Sequence, residues 1–247
     1  MQDTGYGIGP VRGRILYPVS CILHPHQQKL MTENEIITNS IAFVKESLVG
    51  AEAGHDWWHI ERVYNNAKKI AATEKLNTFI VELGALLHDI ADAKFHDGNE
   101  EIGPAKARAF LETMKVDEDT IAHVENIIRH ISFKGGNFST AFSSPELAVV
   151  QDADRLDALG AIGIARAFNY GGFKNREMYN PAIKPDLEMT KETYKKSAAP
   201  TINHFYEKLL LLKDRMNTAT GKKMAAARDQ FMQAYLEEFF GEWEGNK

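Results

Sequence analysis

The sequence predicts an all-α fold, and three observations predict it. From Thr32 onward, apolar residues recur at three- and four-residue intervals, the period of one helix face. Side chains that cap helix starts stand in front of several of these stretches. No apolar–polar alternation runs on long enough to make a series of strands.

The elements follow in order. Thr32-Glu33-Asn34-Glu35 reads as a capping box, in which the Thr hydroxyl and the Glu carboxylate satisfy reciprocal backbone donors. Ile36, Ile37, Ile41, Val44 and Leu48 then keep helical spacing until Gly50 stops the first helix. A second runs from Asp56 to Thr73, with Ile60, Val63, Ala67, Ile70 and Ala71 on one face. Phe79, Leu83, Leu86, Leu87 and Ile90 mark a third, too apolar all round to lie on a surface. Residues 101–114 and 117–131 supply the fourth and fifth. Ser144-Pro145-Glu146 opens the next helical region, which can break and resume before Phe168. Residues 171–189 contain two Gly and two Pro and read as a long loop. Helices over 190–217, with a break at Pro200, and over 222–240 close the chain. Residues 1–31 hold Gly5, Gly7, Gly9, Pro10, Gly13, Pro18 and Pro25 without a sustained period, so an irregular extension, non-native or disordered, is expected there. One domain over 32–247 is expected to follow.

Composition narrows the function. The 247 residues are 44% hydrophobic and 26% charged, which is globular usage. No stretch of about 18 apolar residues occurs, so no membrane span is expected. The 29 basic and 34 acidic side chains leave a net charge of −5, which argues against general nucleic-acid binding. A single cysteine, Cys21, excludes an internal disulfide and fits a reducing, cytoplasmic setting.

Three segments carry chemistry. His88 and Asp89 interrupt the apolar third helix, where a buried carboxylate needs a cation or a hydrogen-bond network. Neighbouring helical residues point about 100° apart, so an ion shared by both would sit near the helix edge and draw further ligands from elsewhere. The alternative is a hydrogen-bonded pair at a helix end. In Gly54-His55-Asp56-Trp57-Trp58-His59, the two histidines lie one turn apart, a spacing that can bind metal, while Asp56 can simply cap the helix. In Gln151-Asp152-Ala153-Asp154-Arg155-Leu156-Asp157, three carboxylates surround one Arg. Asp154 or Asp157 can pair with Arg155, while Asp152, directly after Leu147-Ala148-Val149-Val150, is best placed to project inward.

Together these segments resemble the HD-domain superfamily of metal-dependent phosphohydrolases. The family's ordered pattern of a His, a His-Asp doublet and a distant Asp matches His59, His88-Asp89 and Asp152. The local wording of 54–63, 86–95 and 151–168 is similar to a bacterial subgroup that includes nucleotide pyrophosphatases, and the resemblance covers residues 32–215. It implies an HD-like helical bundle with a long loop after the last ligand helix. It also implies one divalent ion (manganese, iron, cobalt, nickel, zinc or magnesium) held by His59, His88, Asp89 and Asp152. His59 is preferred to His55 because the family's first ligand is closely followed by an Arg-Val pair, as at Arg62-Val63.

The expected activity is hydrolysis of a small phosphoester or phosphoanhydride, with a nucleotide releasing pyrophosphate as the leading substrate. The alternative is a regulatory module that binds metal and nucleotide without turnover. For proton transfer the resemblance points to Asp92, one turn past His88, with His55 as second candidate. Lys94, His130, Lys134 and Arg155 are expected to meet the phosphates, and Arg62 to orient a ligand carboxylate. His123 reads either as a peripheral ligand or as a hydrogen-bonded core residue. Tyr170, Phe173 and Tyr179 could stack on a base or belong to a homodimer contact.

Overall fold

The computed structural model describes residues 30–50, 54–91, 99–131, 142–188 and 198–247. Among them the chain forms nine α-helices and no strand. They are α1 (Glu33–Ser47), α2 (Trp57–Ala71), α3 (Thr78–Leu87), α4 (Ile102–Thr113), α5 (Glu118–His130), α6 (Pro145–Asp157), α7 (Gly160–Phe173), α8 (Thr201–Glu207) and α9 (Ala219–Trp243). Two 3₁₀ turns, Leu209–Leu211 and Lys213–Arg215, connect the last two helices. Residues 31–247 cluster as one unit. The extension expected over 1–31 falls outside the described residues except at its last two positions. None of the described helices is long and apolar enough to cross a membrane.

The start signals act as their chemistry dictates. The capping box at Thr32 and Glu35 closes in both directions, and Asp56, Asn77, Asp117 and Ser144 cap α2, α3, α5 and α6. The apolar α3 lies at the centre, packed against α1, α2, α5 and α6. Its Val81, Leu83, Leu86 and Leu87 have no exposed surface, each stabilising the fold by about 1.5–3 kcal/mol. Gly84 lets these helices close: a Cβ there would stand 3.1 Å from Ile127 of α5 and 3.4 Å from Val150 of α6.

Some boundaries differ from the periodicity. α3 ends at Leu87 rather than Ile90, because His88 Nδ1 donates to the Ala85 carbonyl at 2.9 Å and takes up the last turn. The sixth region does break, between Asp157 and Gly160, and Gly160 adopts φ +71°. In place of a helix over 190–217, α8 starts at Thr201 after Pro200 and ends where Lys208 leaves helical geometry at φ −143°; residues 189–197 lie outside the described residues. α7 continues to Phe173, three residues into the stretch expected as loop, and 174–188 then runs without a helix.

Tyr179 of this long loop meets the α9 aromatics Phe239, Phe240 and Trp243 edge-on at 5.0–6.0 Å. It is therefore spent on packing rather than presented for stacking on a base.

On α8, burial and then repulsion from Lys208 and Arg176 push the His204 imidazole down to about 4 from 6.5. Between those values the unfolded chain binds a proton that the folded one refuses, so stability falls as pH drops through this window, by up to about 3 kcal/mol. Thermal melts of the wild type and of His204→Gln, compared from neutral pH down to about 4, should diverge on that account. The variant should lose less stability towards acid.

Candidate metal centre

Three chain segments meet beside the C-terminal end of α3. His59 enters from the first turn of α2, where Asp56 accepts its backbone N–H at 3.0 Å. His88 and Asp89 follow α3 directly. One ligand atom each from His59, His88 and Asp89 lies within 4.8 Å of the others. The two imidazoles stand edge to face, 5.4 Å between ring centres.

Which ring nitrogens face the cluster follows from their partners. His88 Nδ1 sits 2.9 Å from the Ala85 carbonyl, which can only accept, so Nδ1 carries the proton and Nε2 keeps its lone pair. His59 Nδ1 sits 2.8 Å from Asp157 Oδ2. Its Nε2 is turned to Asp154 Oδ1 at 3.5 Å, and His88 Nε2 lies 4.0 Å from the same oxygen. Burial alone would push Asp89 up, but the hydrogen bond from His55 and the imidazoles of His88, His55 and His59 hold it below the usual carboxylate range.

Two imidazole nitrogens and carboxylates of unlike exposure suit a borderline divalent ion. At bonds of about 2.1 Å, opposite ligands of one ion lie about 4.2 Å apart. A set spanning 4.8 Å therefore needs only a small contraction to hold one. His59, His88 and Asp89 thus form a site for a divalent metal.

Asp152 is a correction. Two residues from Asp154 on the same helix, it points about 200° away and is fully buried on the other side of α6. Its carboxylate accepts from Asn217 N at 2.8 Å and Nδ2 at 3.0 Å, and from Thr218 N and Oγ1 at 2.8 Å each. It thereby locks α6 to the start of α9. Gly221 makes room, since a Cβ there would stand 2.3 Å from Asp152 Oδ2. The third segment reaches the cluster through Asp154 instead.

Arg155 is a second correction. Its guanidinium donates to the Arg215 carbonyl at 2.6 Å and faces Asp152 at 3.5 Å, so it ties α6 to the second 3₁₀ turn rather than meeting a substrate. His130 donates Nδ1 to the Asn126 carbonyl at 2.8 Å, and its ring lies 5.6 Å from Phe142. No contact joins it to the cluster among the described residues. His55 does lie beside the cluster, its Nδ1 2.5 Å from Asp89 Oδ2. Asp92, Lys94 and Lys134 lie outside the described residues. His123 bonds Ser144 Oγ at 2.9 Å and faces Glu146 at 3.5 Å, a core role. Trp57 receives Lys45 over its ring at 4.5 Å, while Trp58 is exposed.

Two residues at the centre escape the sequence pattern: Asp157 and Arg166. Asp157 pairs not with Arg155 but with Arg62, whose Nε and Nη2 donate to its two oxygens at 2.6 and 3.0 Å. Arg166 Nη1 reaches Asp157 Oδ2 as well, and its Nη2 donates to the Gly54 carbonyl at 2.9 Å. Burial would raise the Asp157 carboxyl, yet the hydrogen bonds of His59 and Arg62 and the charge of Arg166 hold it far below the carboxylate range. The one available signal was spacing, because Asp154 and Asp157 stand three apart on one helix face.

Comparison with known proteins assigns the family. The HD domain family model matches residues 57–159, which contain His59, His88, Asp89 and Asp154. YpgQ of Bacillus subtilis (strain 168) is 36% identical over 195 residues, covering 78% of this chain and 87% of the relative. A crystal structure of an HD-superfamily hydrolase from Bacillus thuringiensis shares 44% identity with a TM-score of 0.71, over 86% of this chain and 99% of that one. The crystal structure of Bacillus subtilis YpgQ in complex with ADP shares 34% identity with a TM-score of 0.67, over 85% and 95% of the two chains. With its histidine–aspartate cluster inside the matched segment, this chain belongs to the HD-domain superfamily of hydrolases.

Proposed function

We propose that the protein is a metal-dependent phosphohydrolase of nucleotides that releases pyrophosphate from nucleoside triphosphates. The observation that carries the metal chemistry is the convergence of His59 and His88, each with Nδ1 committed elsewhere, on Asp89 and Asp154. These four residues are the proposed ligands. When bound, a divalent ion supplies Lewis acidity toward water and phosphoryl oxygen. Asp154, whose side chain is 39% exposed while those of His59 and His88 are 4% and 5%, sits where solvent and substrate reach the site.

Two groups are proposed for proton transfer. Asp92 follows His88 by one turn's length of sequence, and His55 donates Nδ1 to Asp89 from a position 37% exposed. Lys94 and Lys134 are the cations proposed for the phosphates. The nucleotide rests on a relative, since the homologous YpgQ was crystallised with ADP. That complex also favours a second reading, a module that binds nucleotide without turnover.

A panel of nucleoside mono-, di- and triphosphates crossed with manganese, magnesium, cobalt, nickel and zinc separates the two. Pyrophosphate release from triphosphates is expected, strongest with a transition metal. Tight nucleotide binding with no phosphate or pyrophosphate released under any metal would establish the sensor instead.

Paired variants test the ligand set. Asp154→Asn should weaken manganese binding by about tenfold or more with an unchanged melting temperature. Asp152→Asn should leave manganese affinity near wild type and lower stability by about 1–3 kcal/mol, because buried donors lose their acceptor. Titration calorimetry with manganese and urea unfolding read the two effects separately.

A further inference from the structure

We infer that Asp157 is a positioning residue that sets the tautomer of His59 and so aims its Nε2 at the metal, an inference that rests on the metal-centre reading above. Asp157 is 1% exposed and His59 3%, so no water competes for the bond between Asp157 Oδ2 and His59 Nδ1 at 2.8 Å. A carboxylate in that position only accepts, which requires the proton on Nδ1 and leaves the lone pair on Nε2. Arg62 and Arg166 supply the donors that fill the remaining lone pairs and hold the carboxylate in its plane. A buried ion pair adds little net stability by itself, whereas a ligand histidine held by a carboxylate gains both orientation and basicity.

The same guanidinium reaches the other side of the cluster. Arg166 Nη2 donates to the Gly54 carbonyl, the residue before His55. One side chain of α7 thus fixes the carboxylate behind His59 and the backbone entering His55, whose Nδ1 meets Asp89. Separating these functions would require moving α7, which bears no proposed ligand.

Asp157→Ala removes the acceptor and leaves Arg166 Nη1, 3.5 Å from His59 Nδ1, as the donor beside that nitrogen. A guanidinium can only donate, so Nδ1 must then accept and the proton moves to Nε2. Nitrogen-15 NMR of the metal-free protein reads this directly. The wild type should carry His59 as the Nδ1–H tautomer, and Asp157→Ala should carry Nε2–H. Manganese affinity, by calorimetry, should fall about 10–100-fold in the variant, with the helical circular dichroism retained.

A wild-type His59 found as Nε2–H overturns the inference whether or not the variant folds. So does a folded Asp157→Ala that keeps the wild-type tautomer and manganese affinity, which would make the contact purely structural. A wild type that binds no manganese overturns the metal-centre reading itself, and that result is distinct from equal binding by both proteins.

Discussion

A carboxylate removed from water must find a donor for each exposed lone pair, and the arrangement around Asp157 follows from that demand. His59 of α2, Arg62 of α2 and Arg166 of α7 all turn their donors to it. Because these donors come from two helices and the acceptor from a third, meeting the demand brings α2, α6 and α7 into register. The imidazole that satisfies Asp157 on one side is the same imidazole that offers Nε2 on the other. Order in the charged layer behind the site and order in the site are therefore one property.

The apolar helix α3 supplies the complementary constraint. It is buried on every side, so its neighbours α1, α2, α5 and α6 must wrap it, and its end must deliver His88 and Asp89 to a fixed place. His88 stops the helix with its own Nδ1, which spends one nitrogen on the backbone and leaves the other for chemistry. A capping interaction and a ligand orientation are the same hydrogen bond. At the far side of α6, Asp152 performs the matching structural task by gripping the loop into α9, so that α6 is held from both faces.

The helices were legible because their signals are local. Caps at Thr32, Asp56 and Ser144 act within one turn, and apolar spacing reports a face without reference to any other segment. Boundaries near His88 and Pro200 were less legible, since they depend on a side-chain bond to a carbonyl and on a chain path set by packing. His59, His88 and Asp89 were legible as a group because polar residues stand out in apolar surroundings and because their order resembles a family. The choice between Asp152 and Asp154 was not. Both follow the same apolar run, and which one faces α2 depends on the rotation of α6 against its neighbours, a quantity absent from local spacing.

By itself the sequence determined the helical class, most helix starts, the apolar character of α3 and three of the four residues that gather at the cluster. The first three are written in contacts within about one or two helical turns, and the cluster residues in polar positions whose order resembles a family. Only the tertiary structure decided that Asp154 faces the imidazoles, that Asp152 serves α9, and that Arg62 and Arg166 share Asp157. Those partners are separated by as many as 95 residues in the chain. Their pairing is set by the phase and crossing of packed helices, which bury a charge only where its donors converge.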